Sequence, residues 1–379
     1  MIIYFNYTVY SWSIVIFYIF FYCFAYSNHI FHLFYFNIII NKYQCLVLPK
    51  LLIVMSNNKK IEYDKVMSFQ FDDLPIRGRI CQTSRSINKI ISQHNYPPEI
   101  SKLLGETIVL NILMADSIKL KHKLSLQVHG NKDLKLIASD FIIPKPPQTI
   151  SFIRGYAKFN KELNFYSNKV RELLGDGYFA TILDQGDGNL PYKGISNLNG
   201  NSLKKSAEEF FKNSEQLDTK FNILVQKISN KKEKIKFKGI GIMLQLLPQE
   251  EKLNNFNKSV KSYKELSEFV KNKIFDNKDC WNNISCLFEN HIFSKKNNFK
   301  DIISDLLLQS FEENNIRVFE EKEFDFGCSC SVDKVKQTMS IYSVKEIDLM
   351  TNDLGKVTAD CQFCGAKYIL SPSELGYRN

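Results

Sequence analysis

Four cysteines close to the carboxyl end carry the clearest chemistry in this sequence. Cys328 and Cys330 stand one residue apart in "FGCSCSVDKV", and Cys361 and Cys364 two apart in "DCQFCGAKY". Each short pair can present two sulfurs to one metal from a tight turn, and four thiolates suit tetrahedral Zn²⁺. Gly327 before the first pair and Gly365 after the second give the backbone freedom that such turns need. The intervening "SVDKVKQTMSIYSVKEIDLMTNDLGKV" is expected to supply a short helix and a turn, enough chain to fold around one ion. A permanently structural zinc ribbon is the competing reading. Thiolates are also the form that oxidants attack, so oxidation to disulfides removes the ligands, and a small metal-dependent domain then unfolds.

The other titratable and thiol side chains form no comparable constellation. Cys23, Cys45, Cys81, Cys280 and Cys286 bring the total to an odd nine, which is no evenly spaced extracellular framework and fits a reducing cytoplasm. Cys280 and Cys286 read as buried thiols. His94, His122, His129 and His291 are scattered and read as ordinary surface or core residues. Asp184 and Asp187 lie in "GDGN" and its flank without the alternating ligands and distal Glu of a calcium loop, so a plain turn is expected. No Ser/His/Asp arrangement, phosphate-binding loop or dinucleotide fingerprint is present, and neither an enzyme nor ATP binding is expected.

The elements that must position the cysteines follow from periodicity. "PPEISKLLGETIVLNILMADSIKL" (97–120) spaces apolar residues as a core helix opened by a Pro pair. "KLSLQVHG" and "LKLIASDF" alternate around "GNKD" as a hairpin, and "YFATILDQGDGNLPYKGISNL" repeats that design. Ser202 is expected to cap an amphipathic helix ending near "SEQL". A lysine cluster in "KISNKKEKIKFKGIGIMLQLLP" precedes an apolar strand carrying Gly239 and Gly241, and reads as a solvated edge or turn. Residues 249–323 are rich in Asn, Lys and Glu, with weak helical pieces such as "KSYKELSEFVKNKIF" and "FKDIISDLLLQSFEENN". They are expected to form a helical, metastable linker.

The fold class is therefore α+β. An α/β core with mixed sheets and packed helices spans 55–248, the linker 249–323, and a small four-cysteine zinc domain 324–379. Residues 1–54 are apolar and aromatic, with Lys42 and Lys50 as their only Lys or Arg. They lack the basic start and small-residue cleavage site of a signal peptide, and Met55 opens an abruptly polar stretch. Met55 is expected to be the true start, with a hydrophobic leader or anchor as the minority reading.

The ordered set "IRGRI" (76–80), "YPPEISKLLGET" (96–107), "LSLQVHG" (124–130), "IRGYA" (153–157), "NSEQLDTKF" (213–221), "GIMLQLLP" (241–248) and the two cysteine pairs resembles the 33 kDa chaperonin family, the redox-regulated heat-shock holdases of bacteria. The resemblance covers Phe69–Tyr377. It implies a reduced, zinc-bound, largely inactive monomer in the cytoplasm, with one zinc per chain on Cys328, Cys330, Cys361 and Cys364. Oxidation would pair Cys328 with Cys330 and Cys361 with Cys364, release the metal, unfold the terminal domain and destabilise the linker. The chain would then hold unfolding client proteins, without ATP, as a homodimer, with no nucleic-acid or membrane partner. Lys123, the "GNKD" turn and Asp218 depart from the family pattern at turns rather than ligands.

The alternative is a zinc-ribbon nucleic-acid or ribosome-associated protein, favoured by the net charge of +10. Residues 328–379 carry six Lys or Arg and six Asp or Glu, so the module itself is a poor grip for phosphate.

Overall fold

The computed structural model describes residues 64–71, 74–160, 170–186, 188–198, 202–228, 236–248, 281 and 316–375. The leader 1–54, Cys280, Cys286, Asp187, His291, the lysines at 231–235 and the helices expected within 261–275 and 299–315 lie outside these residues.

A large sheet organises the chain. Its strands are β1 (Asp64–Phe71), β2 (Ile76–Thr83), β3 (Lys123–Gly130), β4 (Leu134–Ile142), β5 (Ser151–Phe159), β6 (Gly177–Asp184), β7 (Tyr192–Asn197), β8 (Thr219–Ile228), β9 (Lys236–Leu246), β10 (Ile316–Val318) and β11 (Lys322–Phe326). They run in the order β7-β6-β3-β4-β5-β11-β1-β2-β9-β8, with β10 also on β1. Both expected hairpins form, β3 with β4 and β6 with β7. In the second, the Asp184 carboxylate accepts from the Gly186 amide at 2.9 Å and faces His122 at 3.8 Å, which makes it a turn residue.

Two helices enter between β2 and β3, α1 (Arg85–Ser92) and α2 (Pro98–Ser117). Ser84, at the cap position of α1, makes no side-chain cap bond; Asp64 supplies it from β1, accepting from Thr83 Oγ1 and the amides of Ser84, Arg85 and Ser86 at 2.6–3.1 Å. The expected apolar face of α2 extends nearly all round, because the helix is the centre of the main core. Glycines let it approach the sheet: a Cβ on Gly241 would lie 2.3 Å from Val109, and one on Gly155 would lie 3.2 Å from Leu104. Farther on come α3 (Val170–Leu174) and α4 (Leu203–Phe210), the latter running into a π-turn at Phe211–Glu215 that ends in left-handed Gln216. Ser202 occupies the N-cap of α4 with extended backbone, yet its side chain makes no cap bond.

The sheet face opposite α2 carries a second apolar cluster over β1, β2 and β9: Met67, Phe69, Phe71, Ile76, Ile80, Ile240, Ile242, Leu244 and, from the expected linker, Trp281. Side chains alternate across a strand, so Val66 and Cys81 face α2 while Met67 and Ile80 face this cluster.

One expectation is corrected here. Residues 316–318 and 322–326, assigned to the end of a helical linker and the start of the zinc domain, are strands of the large sheet. β11 lies between β5 and β1, parallel to the first and antiparallel to the second. Charged side chains fix its place: Lys322 reaches Asp116 at 2.7 Å, and Asp325 meets Arg85 at 3.0 Å and Lys89 at 3.2 Å. "KEFDF" buries mainly Phe324, so its strand character comes from the neighbours it inserts between.

Among the described residues, no helix is long and apolar enough to cross a membrane.

Candidate metal centre

The chain leaves β11 at Phe326 and passes Gly327 into the first cysteine pair. The Gly327 amide still bonds to Ile153 O at 3.3 Å, and a Cβ on Gly327 would fall 2.4 Å from the Phe152 ring. Glycine is required there for close approach to β5. Gly365 is the one with the expected conformational freedom, at φ +67°.

Beyond Cys330 the module has two short helices where one was expected, α5 (Val332–Met339) and α6 (Val344–Leu349). Ser331 caps α5 through the Lys334 amide, and Ser343 with Glu346 forms a capping box on α6. A hairpin follows, β12 (Val357–Asp360) and β13 (Lys367–Leu370), and its turn carries the second pair. Cys361 N donates to Ala366 O, and Gly365 N to Cys361 O, both at 2.8 Å, curling the loop so that both sulfurs face inward. The module's own core is Ile347, Val357, Leu370 and Leu375, with Val335, Met339 and Tyr342 against it. So small a core is marginal without a cross-link or a metal.

The four sulfurs lie within 4.8 Å of one another, with Cys328 Sγ to Cys361 Sγ at 3.7 Å and Cys330 Sγ to Cys364 Sγ at 3.4 Å. Four thiolates about 2.3 Å from a central ion would stand about 3.8 Å apart at tetrahedral corners. The donor set therefore fits a metal ion, and sulfur-only donors favour a soft or borderline one. The electrostatics agree. Burial pushes the Cys364 thiol up to about 12, with the neighbouring thiols adding to it, and burial likewise raises Cys328. Burial opposes ionisation at Cys330 too, but hydrogen bonds from Tyr368 and the other cysteines hold it at about 7. Alone, the cluster resists carrying four negative charges; a divalent cation would remove that resistance.

The module rests on the core through a set of contacts that the sequence did not reveal. On β5, Gly155 faces α2, so Arg154 and Tyr156 face the other way, toward the cysteines. Arg154 Nη1 donates to Cys328 Sγ at 3.5 Å, and its guanidinium lies 4.1 Å from the centroid of the Phe363 ring. Tyr156 meets the same ring edge-on at 4.9 Å. His94, expected to be an ordinary surface or core residue, has Nε2 2.8 Å from Gln362 O. Trp281 likewise carried no signal as a core residue, yet is only 7% exposed. Cys81 is fully buried beneath α2, and burial pushes its thiol far up, which makes it inert.

The profile of a family described as Hsp33 protein matches residues 64–371. The 33 kDa chaperonin of Caulobacter vibrioides is 26% identical over 315 residues, covering 82% of this chain and 95% of the relative. That of Shewanella loihica is 25% identical over 305 residues, covering 80% and 92%. The crystal structure of the 33 kDa chaperonin from Thermotoga maritima superposes with a TM-score of 0.57 at 19% identity, covering 82% of this chain and 96% of that one, so the fold is shared. The matched segment spans both the large sheet and all four clustered cysteines, and the chain belongs to the Hsp33 family.

Proposed function

We propose that this protein is a cytoplasmic, ATP-independent holdase that binds unfolding proteins under heat and oxidative stress, and that the four clustered cysteines switch it on. The observation that carries the reading is the apolar face of β1, β2 and β9 closed by Trp281. A surface so rich in Phe, Ile and Leu is a client site when uncovered and a hidden core when covered. The family's curated relatives are named chaperonins, which supports the same class.

In the reduced state Cys328, Cys330, Cys361 and Cys364 would hold one Zn²⁺ as thiolates. The ion's contribution is to neutralise the four sulfurs and cross-link a module whose own core is too small to stand alone. Oxidation takes two electrons from each cysteine pair. With peroxide as oxidant, two thiols become one disulfide while one peroxide becomes two waters, so two peroxides consume all four thiols. We assign the pairs as Cys328 with Cys330 and Cys361 with Cys364, following the family pattern. Disulfide sulfurs cannot hold the ion, the module loses its cross-link, and Cys328 lies two residues beyond β11, the strand seated beside β1. Loosening there would free the cover on β1, β2 and β9. Clients would bind that face, with a second copy of the chain completing the active form; neither nucleic acid nor membrane is part of this reading.

The test follows zinc release and light scattering of an unfolding client together during peroxide treatment at heat-shock temperature. Zinc leaving as scattering falls supports a redox-switched holdase. Zinc staying bound, or leaving with no gain in holding, makes the site structural and the reading wrong.

A further inference from the structure

The contacts between the module and β5 form a chain of partners with Arg154 at its centre. Asp140, buried on β4, accepts from Arg154 Nε at 2.8 Å and Nη2 at 2.7 Å, and from Ser125 Oγ on β3 at 2.6 Å. The guanidinium is thus held by Asp140, itself fixed from β3 by Ser125, before it touches the module at all. Its remaining edge points at Cys328 and its face at Phe363. Phe363 lies between Cys361 and Cys364, so a single side chain of the core touches both cysteine loops. Tyr156 meets the same ring edge-on, and His94 pins the preceding peptide.

We infer that Arg154 and Phe363 form a latch that docks the cysteine module on β5 and limits access of oxidant to the sulfurs. Arg154 is a positioning residue in this role. It orients the first loop through Cys328 and the second through Phe363, and the preformed ion pair with Asp140 means that docking immobilises no free side chain on the core. Undocking would leave a planar cation without its aromatic cover and would open Cys328 to solvent. The inference rests on the switch proposed above only in its consequence, faster activation; the docking itself is a separate, measurable property of the reduced protein.

The test uses the full-length chain, reduced and zinc-loaded. Phe363→Leu removes the aromatic face but keeps apolar bulk, and Phe363→Tyr keeps the face. Arg154 itself is avoided, because its loss would leave Asp140 buried and unpaired. Three quantities are read: zinc affinity by chelator competition, amide hydrogen exchange at residues 152–157 and 361–366, and the rate of zinc release by peroxide. For Phe363→Leu we expect zinc affinity within a few-fold of the native chain, while exchange at the contact and peroxide-driven release each rise about ten-fold, the scale of one lost cation–π contact. Phe363→Tyr should restore both. Native exchange and release rates in Phe363→Leu would overturn the latch, and so would a collapse of zinc affinity before any oxidant is added, which would make the ring part of the module's own fold. Client holding is not among these readouts, so a chain that never acts as a holdase would sink the proposed function and leave the latch to be judged on exchange, zinc affinity and zinc release.

Discussion

Truncating Trp281 to alanine isolates the step on which the proposed activity depends, uncovering the second apolar face. The indole is only 7% exposed and packs with Met67, Phe69, Ile80, Ile242 and Leu244. A buried Trp removes about 200 Å² from water, which at about 25 cal/mol per Å² amounts to about 5 kcal/mol. The unfolded chain already buries part of that area, which brings the figure to about 3–4 kcal/mol, inside the range of Trp-to-Ala costs measured in cores. At about 1.4 kcal/mol per factor of ten, the uncovered population should rise at least about 100-fold. The assay keeps the protein reduced and zinc-loaded. It reads binding of a hydrophobic fluorescent dye, amide exchange in β1, β2 and β9, and suppression of client aggregation. Trp281→Ala should bind dye, exchange faster at these strands, and hold client without oxidation while all four cysteines keep their zinc. Unchanged dye binding and exchange would refute the covering role of Trp281. Faster exchange with no gain in holding would show that this face does not bind clients.

Three other outcomes are expected. Cys361→Ser should lower zinc affinity by more than the roughly 10–100-fold that loss of a supporting contact costs, measured by competition with a chromogenic chelator. Because the raised thiols of Cys328 and Cys364 must shed protons to act as ligands, zinc affinity should fall as pH falls from 8 to 6, with protons released on binding detectable in weakly buffered solution. Asp64→Ala should cost about 3 kcal/mol, since it strips the cap from α1 and leaves the buried Ser86 amide and Thr83 hydroxyl without their acceptor; thermal unfolding of the reduced protein reads this directly.

Much of the architecture could be read locally. The β3–β4 and β6–β7 hairpins announce themselves because alternation and a polar turn lie within one short window, and α2 because its apolar residues recur at helical spacing. The cysteine cluster was legible for the same reason: each pair is a local motif, and only the meeting of the two pairs is tertiary. What escaped depends on distant partners. β10 and β11 are short and charged, and nothing in "IRV" or "KEFDF" reveals that a gap between β5 and β1 awaits them. Arg154 and Cys328 are 174 residues apart, and His94 and Gln362 are 268 apart, so no periodicity connects them. Gly327 serves the first cysteine pair through close approach rather than turn freedom, because the space it saves is beside a Phe152 ring that only the fold brings there.

The placement of β11 has a consequence for biosynthesis. The strand sits in the interior of the sheet, yet it is encoded after every strand it adjoins. A ribosome that has released residues through β9 has made two half-sheets that share α2 but have no strand to join β5 to β1. The seam can close only after residue 326 has left the exit tunnel. From the completion of β5 until that moment the nascent chain holds an unfilled slot, a state open to wrong strand pairing. The protein completes its core and acquires its thiol cluster at nearly the same moment. A chain stalled before β11 would thus carry neither the seam nor the cysteine cluster.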